Sequence, residues 1–237
     1  MESRTSGTNG RRVQGTGALD GDVELFRTIE NTLYTAVISD ALDELGLHDQ
    51  AMYEYLRPLF PEAKCFGRAR TIQCQDVFFV PENPYGLEIE AIDSILSGEV
   101  VVVSTGESKR NAPWGELLST AARARGARGA IVDGLVRDVK TIQKLGFPVF
   151  AAGIKPVDSM GRGVVVDYNI PVRCGGIVIN PEDLIFADYD GVVVVPHNSL
   201  QDTLRLARSK VMKENHSREE LMRGAYLSEV FAKYGVL

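Results

Sequence analysis

Apolar residues recur at spacings of three and four from Val23 through Leu25, Ile29 and Leu33, then through Val37, Ala41, Leu42 and Leu45, and stop at Gly46. That spacing predicts two leading helices. Ala69 to Gln75 alternates weakly and is expected to be a strand, after which Leu87 to Leu96 returns to a helical stripe (Ile89, Ile92, Ile95, Leu96) that ends at Gly98. The middle of the chain is the most legible. Glu99 to Thr105, with its run of four valines, reads as a buried strand, Gly115 to Arg125 as a helix, and Gly129 to Asp133 as a strand. Asp138 to Leu145 then reads as a helix and Pro148 to Ala152 as a strand. This β-α-β-α-β alternation with short links predicts a parallel sheet layered with helices, whose ligands sit beyond the carboxyl ends of the strands.

After Gly153 the helical period disappears. Gly163 to Tyr168, Ile177 to Ile179, Leu184 to Ala187 and Val192 to Val195 are short apolar runs separated by turn signals at Cys174-Gly-Gly, Asn180-Pro-Glu-Asp and Asp190-Gly. A β-rich, meander-like segment is expected there. From about Ser199 the period of 3.6 returns through Leu204, Leu206, Val211, Leu221 and Val230 and predicts a solvated helical tail. Residues 1–21 hold almost no large apolar side chains, so they are expected to form a flexible N-terminal arm, and 22–237 a single α/β domain with that tail.

Composition narrows the function classes. The 237 residues are 44% hydrophobic and 24% charged, which excludes a disordered or fibrous chain. Twenty-six Lys and Arg against 32 Asp and Glu leave a net charge of −6, which argues against a nucleic-acid or anionic-membrane partner. Cys65, Cys74 and Cys174 form no CxxC pair and are expected to be core thiols in a reducing compartment. No run of about 18 apolar residues suggests a membrane span, and the first ten residues carry no apolar signal segment, so a cytoplasmic location is expected. His48, His197 and His216 lack metal-ligand spacing, and Gly161-Arg-Gly163 is an incomplete dinucleotide motif with no helix after it.

The loops leaving two adjacent strands carry the candidate chemistry. The first ends Pro113-Trp-Gly-Glu-Leu-Leu118, which places the amides of Glu116, Leu117 and Leu118 in the first turn of a helix, where backbone donors are unpaired and the dipole is positive. The second, Asp133-Gly-Leu-Val-Arg-Asp138, sets a guanidinium and a carboxylate at the same sheet edge. A small 2-oxo acid would suit a pocket between them, with Arg137 on a carboxylate or keto oxygen and the Leu117 and Leu118 amides on the others. Asp138 beside such oxygens is a hard-ligand position for Mg²⁺ or Mn²⁺, although an Asp at a helix start is, taken alone, more often a cap than a ligand. Lys140 and Lys144 could form a Schiff base only if desolvated, and four apart on a short helix they are expected to face solvent.

Trp114-Gly-Glu-Leu-Leu, together with Ala-Arg-Gly-Ala-Arg-Gly-Ala-Ile-Val-Asp-Gly-Leu-Val-Arg-Asp138, resembles the RraA-like family, which includes the divalent-metal 4-hydroxy-4-methyl-2-oxoglutarate aldolases. The resemblance runs from about Val37 to Pro196 and is supported by Asn180-Pro-Glu-Asp-Leu-Ile-Phe-Ala-Asp-Tyr-Asp-Gly-Val-Val-Val-Val-Pro196. The family motif is an acidic residue, twenty residues, Arg-Asp, two residues and a further acid. Glu116, residues 117 to 136 and Arg137-Asp138 match it, whereas Thr141 stands where the last acid belongs. The resemblance implies that Asp138 coordinates the metal, that Arg137 binds the keto acid and stabilises its enolate, and that Gly115 and the Leu117 and Leu118 amides seat the carboxylate. It further implies that Glu116 positions or activates a water. Thr141 removes one expected outer contact to the metal. The implied fold is a layered α/β sandwich like the swivelling phosphohistidine domain, assembled as a homotrimer or hexamer with sites between subunits. The implied reaction is cleavage of a 4-hydroxy-2-oxo acid to pyruvate, with oxaloacetate decarboxylation as a side activity. Because the family also holds regulators that bind a ribonuclease, a non-catalytic role, or a lyase of different substrate, is the alternative.

Overall fold

The computed structural model, which describes residues 29, 30 and 32–236, puts the valine run inside an eight-stranded sheet. In chain order the strands are β1 (Arg57–Pro58), β2 (Cys65–Asp76), β3 (Glu99–Ser104), β4 (Gly129–Val136), β5 (Val149–Ile154), β6 (Gly163–Tyr168), β7 (Val172–Cys174), β8 (Ile177–Ile179), β9 (Leu184–Asp188) and β10 (Gly191–Val195). The helices are α1 (Thr35–Glu44), α2 (Gly86–Asp93), α3 (Glu116–Ala124), α4 (Val139–Leu145), α5 (Leu200–Met222) and α6 (Leu227–Tyr234). The expected β-α-β-α-β unit is β3-α3-β4-α4-β5, and β2, β3, β4 and β5 lie side by side and parallel.

Alternate residues of these strands serve two different cores. Val101, Val103 and Val132 pack with Ile92, Trp114, Ala122 and Ile142 beneath the helices. Val100, Val102, Ile131 and Phe150 face the opposite way and meet Ile185, Ala187, Val192 and Val194 of β9 and β10. Strands buried on both faces need continuous apolar runs, which is why the valines do not alternate with polar residues.

The expected α/β layering is present, but the sandwich is modified by how the sheet ends. Residues 50–58 stitch its two edges together. The Met52 amide donates to Val192 O and the Val194 amide to Gln50 O, both at 2.9 Å, while Arg57 and Pro58 pair antiparallel with Ala151 and Phe150. The sheet therefore curls toward a nearly closed barrel. Helices α2 to α4, α1 and α5 cover its outer face, so the inner apolar face is satisfied by the sheet itself and by the β7–β8 hairpin, whose Val172, Cys174 and Ile179 fill the interior.

The meander expectation is also corrected. β6 returns to pair antiparallel with β2, β7 and β8 form a separate hairpin, and β9 lies on the other side of β2. The helical tail is two helices, because Gly224, with φ of 92°, ends the first. Of the leading helices, α1 is present and Ile29, Glu30 and Thr32 are helical, while the arm 1–21 lies outside the described residues. All three cysteines are buried and free, and burial pushes the Cys65 and Cys74 thiols up to about 12. No helix among the described residues is long and apolar enough to cross a membrane.

Candidate active site

Trp114 joins the two crossover turns. Its backbone bridges Val136 at the end of β4, and its carbonyl accepts from the Arg137 amide at 3.0 Å. The indole, 1% exposed, donates to Ser119 Oγ at 2.8 Å, and that hydroxyl donates to Gly115 O at 2.9 Å, so the start of α3 is fastened to the end of β4. Gly115 stands at the contact. A Cβ there would lie 2.8 Å from Asp138 Oδ2 and 3.1 Å from Arg137 Cγ. Because the carboxylate can swing while the buried Trp114 cannot, Gly115→Ala is expected to fold with a melting temperature near wild type. It should lose about tenfold or more in turnover through displacement of Asp138 and Arg137, read by steady-state kinetics beside thermal melts.

A cleft of about 300 Å³ opens here, lined by Gly115, Glu116, Leu117, Leu118, Arg137 and Asp138 from the predicted loops. The six residues expected to bind substrate or metal or to act in the chemistry are thus brought together. Arg137 Nε lies 3.8 Å from Asp138 Oδ2. Asp138 is the first residue before α4 and adopts left-handed backbone angles (φ 60°, ψ 29°), which Asp tolerates better than most residues. It does not cap its own helix: its carboxylate instead faces the Glu116 amide at 3.4 Å. Glu116 Oε1 accepts from the Thr120 hydroxyl at 2.8 Å. Thr141, Lys140 and Lys144 are exposed on α4 and line none of the cleft.

Six further residues complete the wall, none of them among those expected, and three of these are titratable: Tyr85, Glu88 and Asp158. Asp158 Oδ1 pairs with the Arg137 guanidinium at 3.0 Å, and its Oδ2 accepts from the Tyr85 hydroxyl at 2.5 Å and the Met160 amide at 3.1 Å. The loop that carries it is held by the Ala112 amide on Val157 O at 2.8 Å. Burial pushes the Asp158 carboxyl up, but Tyr85, Met160 and Arg137 outweigh it and keep the group below the usual carboxylate range. Asp158 had a sequence signal, since its loop follows β5, the last strand of the β-α-β-α-β unit. Tyr85 and Glu88 had none, because only the fold brings the start of α2 to this rim.

Burial first, and then the Asp158 charge, push Glu88 up to about 7 against the pull of Arg137. Burial likewise lifts Asp133, inside the mouth of the barrel, to about 6 despite the Gly175 amide and the Tyr55 hydroxyl. Both groups bind a proton more tightly folded than unfolded, so their contribution is complete below pH 4 and is lost as pH rises through 6 and 7. We expect the melting temperature to fall by roughly 5 °C between pH 5 and 8, and the slope to flatten by more than half in Glu88→Gln/Asp133→Asn. An unchanged slope in that variant would refute this assignment.

Among the described residues no group of three or more His, Cys, Asp or Glu surrounds a common point. The donor set nevertheless fits a hard cation held by a single carboxylate, since Asp138 is half-exposed at the cleft and Mg²⁺ keeps most of its shell as water and substrate oxygen. Asp138, Asp158 and Glu116 outnumber the one guanidinium in the cleft, and a divalent cation would balance that excess.

A curled mixed sheet covered by helices, with a helix start and an Arg-Asp pair at the ends of neighbouring parallel strands, defines a mixed α/β class of protein. The RraA-like family profile, described as Aldolase/RraA, matches residues 35–194, and the chain belongs to that family. It is 34% identical over 178 residues to an uncharacterized protein of Methanocaldococcus jannaschii, covering 74% of this chain and 82% of that one. A Halalkalibacterium halodurans protein provisionally named 4-hydroxy-4-methyl-2-oxoglutarate aldolase is 32% identical over 185 residues, 78% of this chain and 83% of the relative. The crystal structure of Streptomyces coelicolor RraAS2, an unusual member of the RNase ES inhibitor RraA protein family, superposes with a TM-score of 0.71. It is 27% identical and covers 85% of this chain and 96% of its own.

Proposed function

We propose that this chain is a divalent-metal-dependent carbon–carbon lyase that cleaves a 4-hydroxy-2-oxo acid of the 4-hydroxy-4-methyl-2-oxoglutarate type to pyruvate, with oxaloacetate decarboxylation as a side activity. The observation that carries the reading is the convergence of Arg137, Asp138 and the open first turn of α3 on one cleft. The Leu117 and Leu118 amides seat the substrate carboxylate at the positive end of α3, and Gly115 leaves the backbone accessible. Arg137, oriented by Asp158, donates to the keto oxygen and stabilises the charge that gathers there as the carbon–carbon bond breaks. Glu116 orders a water at the rim. Asp138 would hold the Mg²⁺ or Mn²⁺, which would supply Lewis-acid stabilisation of the developing enolate, on the order of several kcal/mol. Both reactions leave their electrons in a pyruvate enolate, so one cleft serves both.

The loop that brings Tyr85 and Glu88 to the cleft also exposes Phe78 and Phe79, 84% and 65% accessible, and Leu117 stands 77% exposed at the rim. A second copy of the chain is the expected cover, giving a trimer or hexamer with sites between subunits, to be read by light scattering.

The test is pyruvate release from the hydroxy-oxo diacid and from oxaloacetate, with Mg²⁺ or Mn²⁺ and after chelation. Turnover that requires the metal supports the lyase. The likeness to RraAS2 supports the second reading, a regulator that binds a ribonuclease, and predicts a folded protein that turns over neither substrate yet inhibits the nuclease.

A further inference from the structure

Four carboxyl groups line the cleft, and three are already engaged. Glu116 accepts from Thr120, Asp138 faces the Glu116 amide, and Asp158 holds Tyr85 and Arg137. Glu88, in the first turn of α2, receives no hydrogen bond and no ion pair from the described residues. One side of it faces the cleft and the other two small hollows, an apolar one lined by Cys74, Trp114 and Val165 and a more polar one lined by Asp76, Ser108 and Asn111. The titratable and charged groups around it are Tyr85 from the same helix start, Asp158 from the loop after β5, Arg137 from the turn after β4, and the Asp76 carboxylate and buried Cys74 thiol of β2.

We propose that Glu88 carries the proton of the cleavage step, taking it from the substrate 4-hydroxyl and returning it toward C3. This inference rests on the lyase reading. As the O–H bond at C4 breaks, the proton passes to the Glu88 carboxylate and a C4 carbonyl forms. The C3–C4 bond breaks, and its electron pair enters the enolate whose oxygen Arg137 stabilises. The proton then leaves Glu88 through the water at Glu116, a C–H bond forms at C3 to give the pyruvate methyl, and the carboxylate is restored. One proton is taken and one returned, with no oxidant or reductant. Burial lifts Glu88 to about 7, where a carboxyl accepts and donates with comparable ease at neutral pH.

Glu88→Gln tests the assignment, because the amide is isosteric and cannot accept the proton. Oxaloacetate has no 4-hydroxyl, so its carbon–carbon cleavage, read as CO₂ release, needs no such base. We expect Glu88→Gln to lower kcat for the hydroxy-oxo acid by about 10²–10³ and to remove the ionisation near 7 from its kcat–pH profile. CO₂ release in the first turnover of oxaloacetate, which precedes protonation at C3, should stay within about fivefold of wild type, showing an intact cleft. An active wild type whose Glu88→Gln variant cleaves the hydroxy-oxo acid equally well, or loses both reactions together, overturns the Glu88 assignment alone. A wild type inert to both substrates in the presence of metal overturns the lyase reading and this one with it.

Discussion

Arg137→Lys is expected to fold as wild type and to lose about 10²–10³ in kcat/KM for pyruvate formation, mostly through kcat. The charge survives, but the planar fork does not. Arg137 uses one terminal nitrogen on Asp158 at 3.0 Å and keeps Nε 3.8 Å from Asp138, which leaves a further nitrogen for the substrate keto oxygen. A lysine has a single nitrogen and must choose between Asp158 and the developing enolate oxygen. Steady-state kinetics beside circular dichroism check this, and a variant within about threefold of wild type would show that Arg137 contributes charge and not geometry.

Asp138→Asn carries the second large effect. Asn also tolerates the left-handed backbone at this position, and its amide oxygen can still face the Glu116 amide, so the turn is retained while the negative charge goes. Loss of the charged ligand should weaken Mn²⁺ binding by at least about tenfold and lower turnover by about 10³ at fixed metal, because Lewis-acid stabilisation of an enolate is worth several kcal/mol. Paramagnetic titration of Mn²⁺ reads the first and kinetics the second. Unaltered Mn²⁺ affinity would move the cation away from Asp138.

The middle of the chain was legible because its elements are local and strongly patterned. The valine run, the Gly129 strand and the two short helices follow from composition and spacing, and each was recovered within a few residues. β1 was not, because two residues containing a proline carry no strand signal, and they pair only where the sheet curls back. β2 was seen in part. It runs for 12 residues and contacts β3, β6 and β9, so Arg68 and Arg70 lie within it and interrupt the pattern a strand would otherwise show. The β7 strand was hidden in what reads as the approach to a Gly-Gly turn.

The same division runs through the site. By itself the sequence determined that a helix start and an Arg-Asp pair would lie at the ends of neighbouring parallel strands, because crossover geometry follows from short-range order along the chain. Only the tertiary structure decided which side chains complete the wall. Asp158 reaches Arg137 from the loop after β5, and Tyr85 and Glu88 arrive on a helix about fifty residues earlier in the chain than Arg137. The environment of a carboxyl, half-buried and without a hydrogen bond for Glu88 and hydrogen-bonded for Asp158, is set by residues remote in sequence, and burial and long-range charge have no one-dimensional signature.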